Sequence, residues 1–120
     1  MPDPAAGRSI LLDFGKFRLE AVLFNTRIAR SFKENLPYTV DLTGWGKELY
    51  GSIGLGLGEE NPVDEVPEGA IAYTGRGNLV CVFFGQKPAW PVEYIGQIKE
   101  GQWQKLLEND EIRRVEIRPA

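Results

Sequence analysis

The sequence predicts a mainly β domain, a closed barrel or a sandwich, with about eight short strands and a helix near each end. Short runs that alternate apolar and polar residues, or are apolar throughout, recur along the 120 residues. Glycine and proline punctuate them at regular spacing. Helical spacing of apolar residues occurs in only two places, which argues against repeated βαβ units.

Taken in order, residues 1–8 are read as a loose tail, with two prolines and small residues before the first run, and 9–120 as the barrel domain. "SILLDF" (Ser9–Phe14) and "KFRLEAVL" (Lys16–Leu23) flank Gly15 and predict a tight hairpin, with Phe17, Leu19, Ala21 and Leu23 on one face. Asn25 or Thr26 can cap a helix running to about Asn35, in which Ile28, Phe32 and Leu36 make a narrow apolar stripe. Pro37 ends it. "YTVDLT" (Tyr38–Thr43) and "WGKELYGSI" (Trp45–Ile53) read as strands separated by Gly44. "AIAYT" (Ala70–Thr74) and "NLVCVFF" (Asn78–Phe84) follow, joined by the turn Gly75–Gly77. The second is apolar on both faces and so is placed centrally. "EYIGQIK" is a strand, Gly101–Asn109 a short helix burying Trp103, Leu106 and Leu107, and "RRVEIR" a closing strand.

Composition narrows the function classes. Fourteen basic against seventeen acidic residues leave a net charge of −3 with neither sign gathered in a block, so neither nucleic acid nor membrane is expected as a partner. Cys81 is the single cysteine, and the N-terminus lacks an apolar signal region, so a reducing cytoplasm is the expected location. The chain contains no histidine, which removes the usual serine–histidine and cysteine–histidine nucleophiles and leaves a poor ligand set for zinc. No cofactor and no metal are expected.

Four phrases carry a resemblance to a known family. "WGKELYG" is followed by "NPVDEVPEGAIAY", then by "LVCVFFGQKP", then by "YIGQIKEG" leading into the second helix. In this order and spacing, over Ser9–Pro119, the chain resembles the cyclophilin fold, and more narrowly a small, atypical prokaryotic cyclophilin-like family. The resemblance implies a closed eight-stranded β-barrel with two capping α-helices. It also implies a site to look for, since true cyclophilins rotate the peptide bond before proline, using an apolar proline pocket and an arginine.

By that resemblance Phe84 falls at the proline-pocket phenylalanine, and Thr74, Gly75 and Arg76 fall near the segment that clamps the peptide backbone. Trp90 lies near the usual tryptophan position. The catalytic arginine is missing from "YTVDLTGW", as are the phenylalanine and glutamine that follow it, for which Tyr50 and Ser52 are the nearest substitutes. Val92 or a neighbour stands where a histidine is expected.

Other motifs read blandly. "GSIGLGLGEENP" (Gly51–Pro62) suggests a phosphate loop, but it lacks the Lys-Ser/Thr pair and leads into Glu59 and Glu60 rather than a helix. Its period-two Ile53, Leu55 and Leu57 predict a strand with glycine on the other face. The acidic "EENPVDEVPE" lacks the ligand order of a calcium loop. Trp45, Tyr50, Tyr73, Phe83 and Phe84 are expected mostly in the barrel core, with Trp90 the exposed contact, and Cys81 as a buried, inert thiol. Glu48, beside Lys47, could stand at a barrel mouth as an acid or base, but nothing in the sequence assigns it that role.

The expectation is therefore a module binding a peptide or small molecule at Tyr50, Thr74, Gly75, Arg76, Phe84 and Trp90, with an incomplete isomerase set and no efficient prolyl-isomerase activity. The alternative is a weak peptidyl-prolyl isomerase with Arg76 replacing the missing arginine. A metabolic enzyme on the same scaffold is a third option. The ligand and the oligomeric state are left open.

Overall fold

Strands β1 (Arg8–Asp13) and β2 (Arg18–Leu23) form an antiparallel hairpin that pairs Asp13 with Arg18. Gly15 turns it at φ +91°, and the Asp13 side chain accepts the Gly15 N–H at 2.9 Å. The computed structural model describes residues 8–109 and 112–120. The expected tail therefore lies outside the described residues, except for Arg8, which begins β1.

Thr26 caps helix α1 (Arg27–Glu34) by accepting the Ala29 N–H at 3.2 Å. This supplies one of the partners a helix start otherwise lacks. Ile28, Ala29 and Phe32 are buried, and α1 lies over β2 and β8 (Glu93–Ile98). The remaining strands are β3 (Tyr38–Asp41), β4 (Thr43–Gly44), β5 (Glu48–Ser52), β6 (Ala70–Thr74), β7 (Leu79–Phe83) and β9 (Arg114–Pro119).

The sheet order is β3-β9-β1-β2-β8-β6-β7-β5-β4, with every neighbouring pair antiparallel. The sheet curls until β3 meets β5. A side chain at Gly51 would overlap the Asp41 carbonyl oxygen and come within 2.5 Å of Val40 Cγ1. Glycine is what lets the nearly closed barrel draw together there.

The interior holds Ile10, Leu12, Leu19, Ile71, Tyr73, Val82, Ile95 and Ile117 with Phe32 of α1. Each such side chain stabilises the fold by about 1.5–3 kcal/mol through loss of water contact. A smaller cluster of Ala72, Cys81, Phe83 and Val92 packs separately. The two clusters lie on opposite faces of β6 and β7.

Three details differ from the sequence-based expectation. The described residues form nine strands rather than eight, because the chain breaks at Leu42 and Thr43–Gly44 turns to pair with β5. In place of a helix over Gly101–Asn109 there is a single 3-10 turn, Trp103–Leu106, so the described residues contain one α-helix. Gln102, just before the turn, makes no side-chain cap bond and instead accepts the Glu20 N–H at 2.7 Å. Leu107 stays exposed, and only Leu106 of the turn is fully buried. Ile53–Leu57 forms no strand, because Gly54 and Gly58 take φ of +74° and +87° and break the extended path.

Candidate functional site

The outward faces of β5 and β7 form the floor of a cavity. Their register sets Glu48 opposite Phe83 and Tyr50 opposite Cys81, so these four side chains share one side of the wall. Pro88, Ala89, Trp90 and Val92 close over them from the segment after β7, and Trp45 flanks them from the β4–β5 turn. The cavity is about 280 Å³.

Local chemistry holds both flanks. Trp45 and Glu48 exchange backbone hydrogen bonds at 2.9 and 3.1 Å around Gly46–Lys47, and Gly46 takes φ +60°. The Gln86 side chain accepts the Lys47 N–H at 2.6 Å, tying this turn to the segment that carries Trp90. Trp90 is fixed from its other end, where its indole N–H donates to Thr74 Oγ1 at 3.0 Å. The same oxygen accepts the Arg76 N–H at 3.2 Å, and the Arg76 guanidinium carbon stands 4.8 Å from the centre of a Trp90 ring. That is a cation–π arrangement.

Glu48 is the one carboxyl in the lining and is only 7% exposed. Burial pushes its pKa up to about 7, an effect the Cys81 thiol partly offsets by hydrogen bonding to the carboxylate. The thiol is pushed up in turn, first by burial and then by Glu48, so it stays protonated as the donor. Cys81 is buried, as its sequence surroundings implied, but it faces the cavity rather than the barrel interior.

A second, more polar cavity of about 550 Å³ adjoins through Trp90, lined among others by Tyr73, Thr74, Gly75, Arg76, Asn78 and Glu93. The glycine-rich segment walls it through Gly56 and Gly58 and is held by buried polar anchors. Tyr73 Oη accepts the Leu57 N–H and donates to Asn78, both at 2.9 Å. The Glu93 carboxylate accepts the Asn61 and Glu60 N–H groups at 3.0 and 3.2 Å. Glu60 in turn accepts the Arg27 N–H at the start of α1.

Of the six residues expected at a site, five surround these two cavities. Tyr50 lines the first, Thr74, Gly75 and Arg76 line the second, and Trp90 lines both. Phe84 is placed elsewhere, since it belongs to the interior cluster and lines neither cavity. Its neighbour Phe83 occupies the cavity wall. Trp45 was expected in the core, yet it is 53% exposed at the cavity rim. Phe83 and Cys81 were not foreseen as site residues, because strand sidedness is unreadable where both faces are apolar, and Glu48 was weighed as an acid or base at a barrel mouth without being assigned that role.

Comparison with known proteins agrees with this architecture. A family model described as cyclophilin-like matches residues 8–118. The solution structure of the hypothetical protein AF2241 from Archaeoglobus fulgidus superposes with a TM-score of 0.78 at 24% identity, covering 96% of each chain. The structure of McbB in complex with tryptophan superposes with a TM-score of 0.75 at 16% identity, covering 92% of this chain but 44% of McbB. No match is found among curated proteins. With the matched region spanning every strand from β1 to β9, the chain belongs to the cyclophilin-like family.

Proposed function

We propose that the domain is a binding module whose first cavity takes the apolar part of a small molecule or of a peptide side chain. The observation that carries this reading is the cavity itself, a preformed recess walled by Trp45, Tyr50, Phe83 and Trp90. Concave aromatic-lined sites with few polar groups are the usual form of a ligand pocket, and about 280 Å³ is at the small end of their range. McbB, a protein of the same fold, is known in complex with tryptophan, a ligand with a comparable flat apolar body.

The position of Arg76 favours binding over prolyl isomerisation. An isomerase would need a guanidinium beside the apolar recess, aimed at the prolyl nitrogen. Arg76 is instead stacked on Trp90 and lines the second cavity but not the first.

The test is an NMR titration of labelled protein with Xaa-Pro peptides and small aromatic compounds, following the Trp90 indole N–H. Binding shifts Trp90, Tyr50 and Phe83 together and leaves the cis–trans exchange rate of the peptides unchanged. Accelerated exchange would replace this reading with an isomerase. Shifts confined to other regions would place the site elsewhere.

A further inference from the structure

We infer that the first cavity selects a ligand bearing a protonated amine, with its apolar body between the aromatic walls and its ammonium nitrogen paired with the Glu48 carboxylate. This rests on the binding reading above and adds the chemical class of the ligand.

The argument starts from the cost of Glu48. A carboxyl that is 7% exposed among Trp45, Tyr50 and Phe83 gives up much of its hydration, and such groups are normally paired with a cation or several donors. Here its side-chain partner is one thiol, a weak donor. Among the described residues, no lysine or arginine lines the cavity. Arg76 is turned to the far side of the site and is already held against Trp90. Glu48 therefore lines a partly open recess in which, among the described residues, the protein supplies no cationic partner.

The walls act in the same direction. Aromatic faces carry negative quadrupole charge and attract cations, most strongly where water is excluded. An ammonium group would meet a carboxylate and aromatic faces at once. An anionic ligand would be repelled by both, and a neutral one would gain at most an uncharged hydrogen bond from Glu48, weaker than the charge-assisted one. Volume restricts the ligand to a small primary or secondary amine, or to the end of a longer chain entering the recess.

Proton balance gives the reading a signature. The titratable groups beside Glu48 in the cavity lining are Tyr50 and the Cys81 thiol, and the remaining lining side chains are uncharged. Glu48 titrates near pH 7 when the cavity holds no cation. Pairing with an ammonium favours the carboxylate, so at pH 6 the bound amine displaces the Glu48 proton to the buffer. Affinity for an amine therefore rises from pH 6 to pH 8, while affinity for a neutral isostere stays flat.

The experiment compares phenethylamine with its neutral isostere 2-phenylethanol on the full chain, by NMR titration at pH 6 and pH 8. The amine is expected to bind about tenfold tighter at pH 8, the scale of a charge-assisted hydrogen bond. That advantage should shrink at pH 6 and disappear in Glu48→Gln. Should the variant not fold, the amine-to-alcohol ratio in the wild type at the two pH values decides alone. Equal or tighter binding of the alcohol at both values overturns the amine inference and leaves the binding module standing. Absence of any shift at Trp90 and Tyr50 with either probe overturns both.

Discussion

Phe83 and Phe84 are consecutive in the chain and stand on opposite sides of the barrel wall. Phe83 packs outward with Cys81, Ala72 and Val92 and lines the first cavity, whereas Phe84 packs inward with Val80 and Val82. The family resemblance places the pocket phenylalanine at Phe84, and the fold places the cavity phenylalanine at Phe83.

Their substitutions should therefore separate. Phe84→Leu removes interior volume and should cost about 1–2 kcal/mol in chemical denaturation. It should leave the resonances of Tyr50 and Trp90 near their wild-type positions. Phe83→Leu should shift those resonances and weaken binding of any aromatic probe to the cavity. If Phe84→Leu perturbs Trp90 as strongly as Phe83→Leu does, the two-sided assignment is wrong.

Glu48 should leave a mark on stability against pH. Its folded pKa of about 7 lies above the ordinary value of 4.5, so the folded chain holds this proton more tightly than the unfolded chain. The contribution is fully present below about pH 4.5 and is lost as pH rises through 7. The gap between the two values sets a ceiling of about 3 kcal/mol. Asp13, Glu20 and Glu65 are shifted the opposite way by hydrogen bonds and neighbouring cations, and their effect falls below pH 4.5. Glu48→Gln retains those groups and cannot ionise. Its stability relative to wild type should improve between pH 5 and pH 7 and level off towards pH 8, measured by urea denaturation at each pH. A constant difference over that range would mean that Glu48 is not buried as described.

Much of the barrel was legible because its signals are local. Alternation in "KFRLEAVL" gave the inward Leu19, Ala21 and Leu23 of β2, and Thr26 before Ile28 gave the start of α1. Where local pattern met tertiary demand, tertiary demand won. The Gln102 side chain bonded to β2 where a second helix was expected, and glycines at positive φ turned Ile53–Leu57 into an irregular wall of the second cavity. The site was legible only in part. Thr74, Gly75, Arg76 and Trp90 were brought together by the family resemblance rather than by local pattern. The pairing of Glu48 with Cys81 depends on the β5–β7 register, which joins residues 33 positions apart and leaves no trace in the pattern of "NLVCVFF".

Gly51 offers the sharpest test of how the barrel closes. It lies on β5 between Tyr50 of the cavity and Ser52, with its open face against β3. Its backbone is not in the left-handed region, so conformational freedom is not what demands glycine here. The demand is steric, since a methyl group would overlap the Asp41 carbonyl oxygen and crowd Val40 Cγ1 at 2.5 Å. One obstacle is backbone and cannot rotate away, so β3 and β5 would have to separate. Gly51→Ala should cost about 2–3 kcal/mol, the upper end for overpacking. Amide exchange should rise in β3 and β5 while β1 and β2 keep their protection. The neighbouring Tyr50 should also move, so probe affinity at the cavity should fall along with stability. A fully stable Gly51→Ala protein would show that β3 and β5 do not meet as closely as this geometry requires.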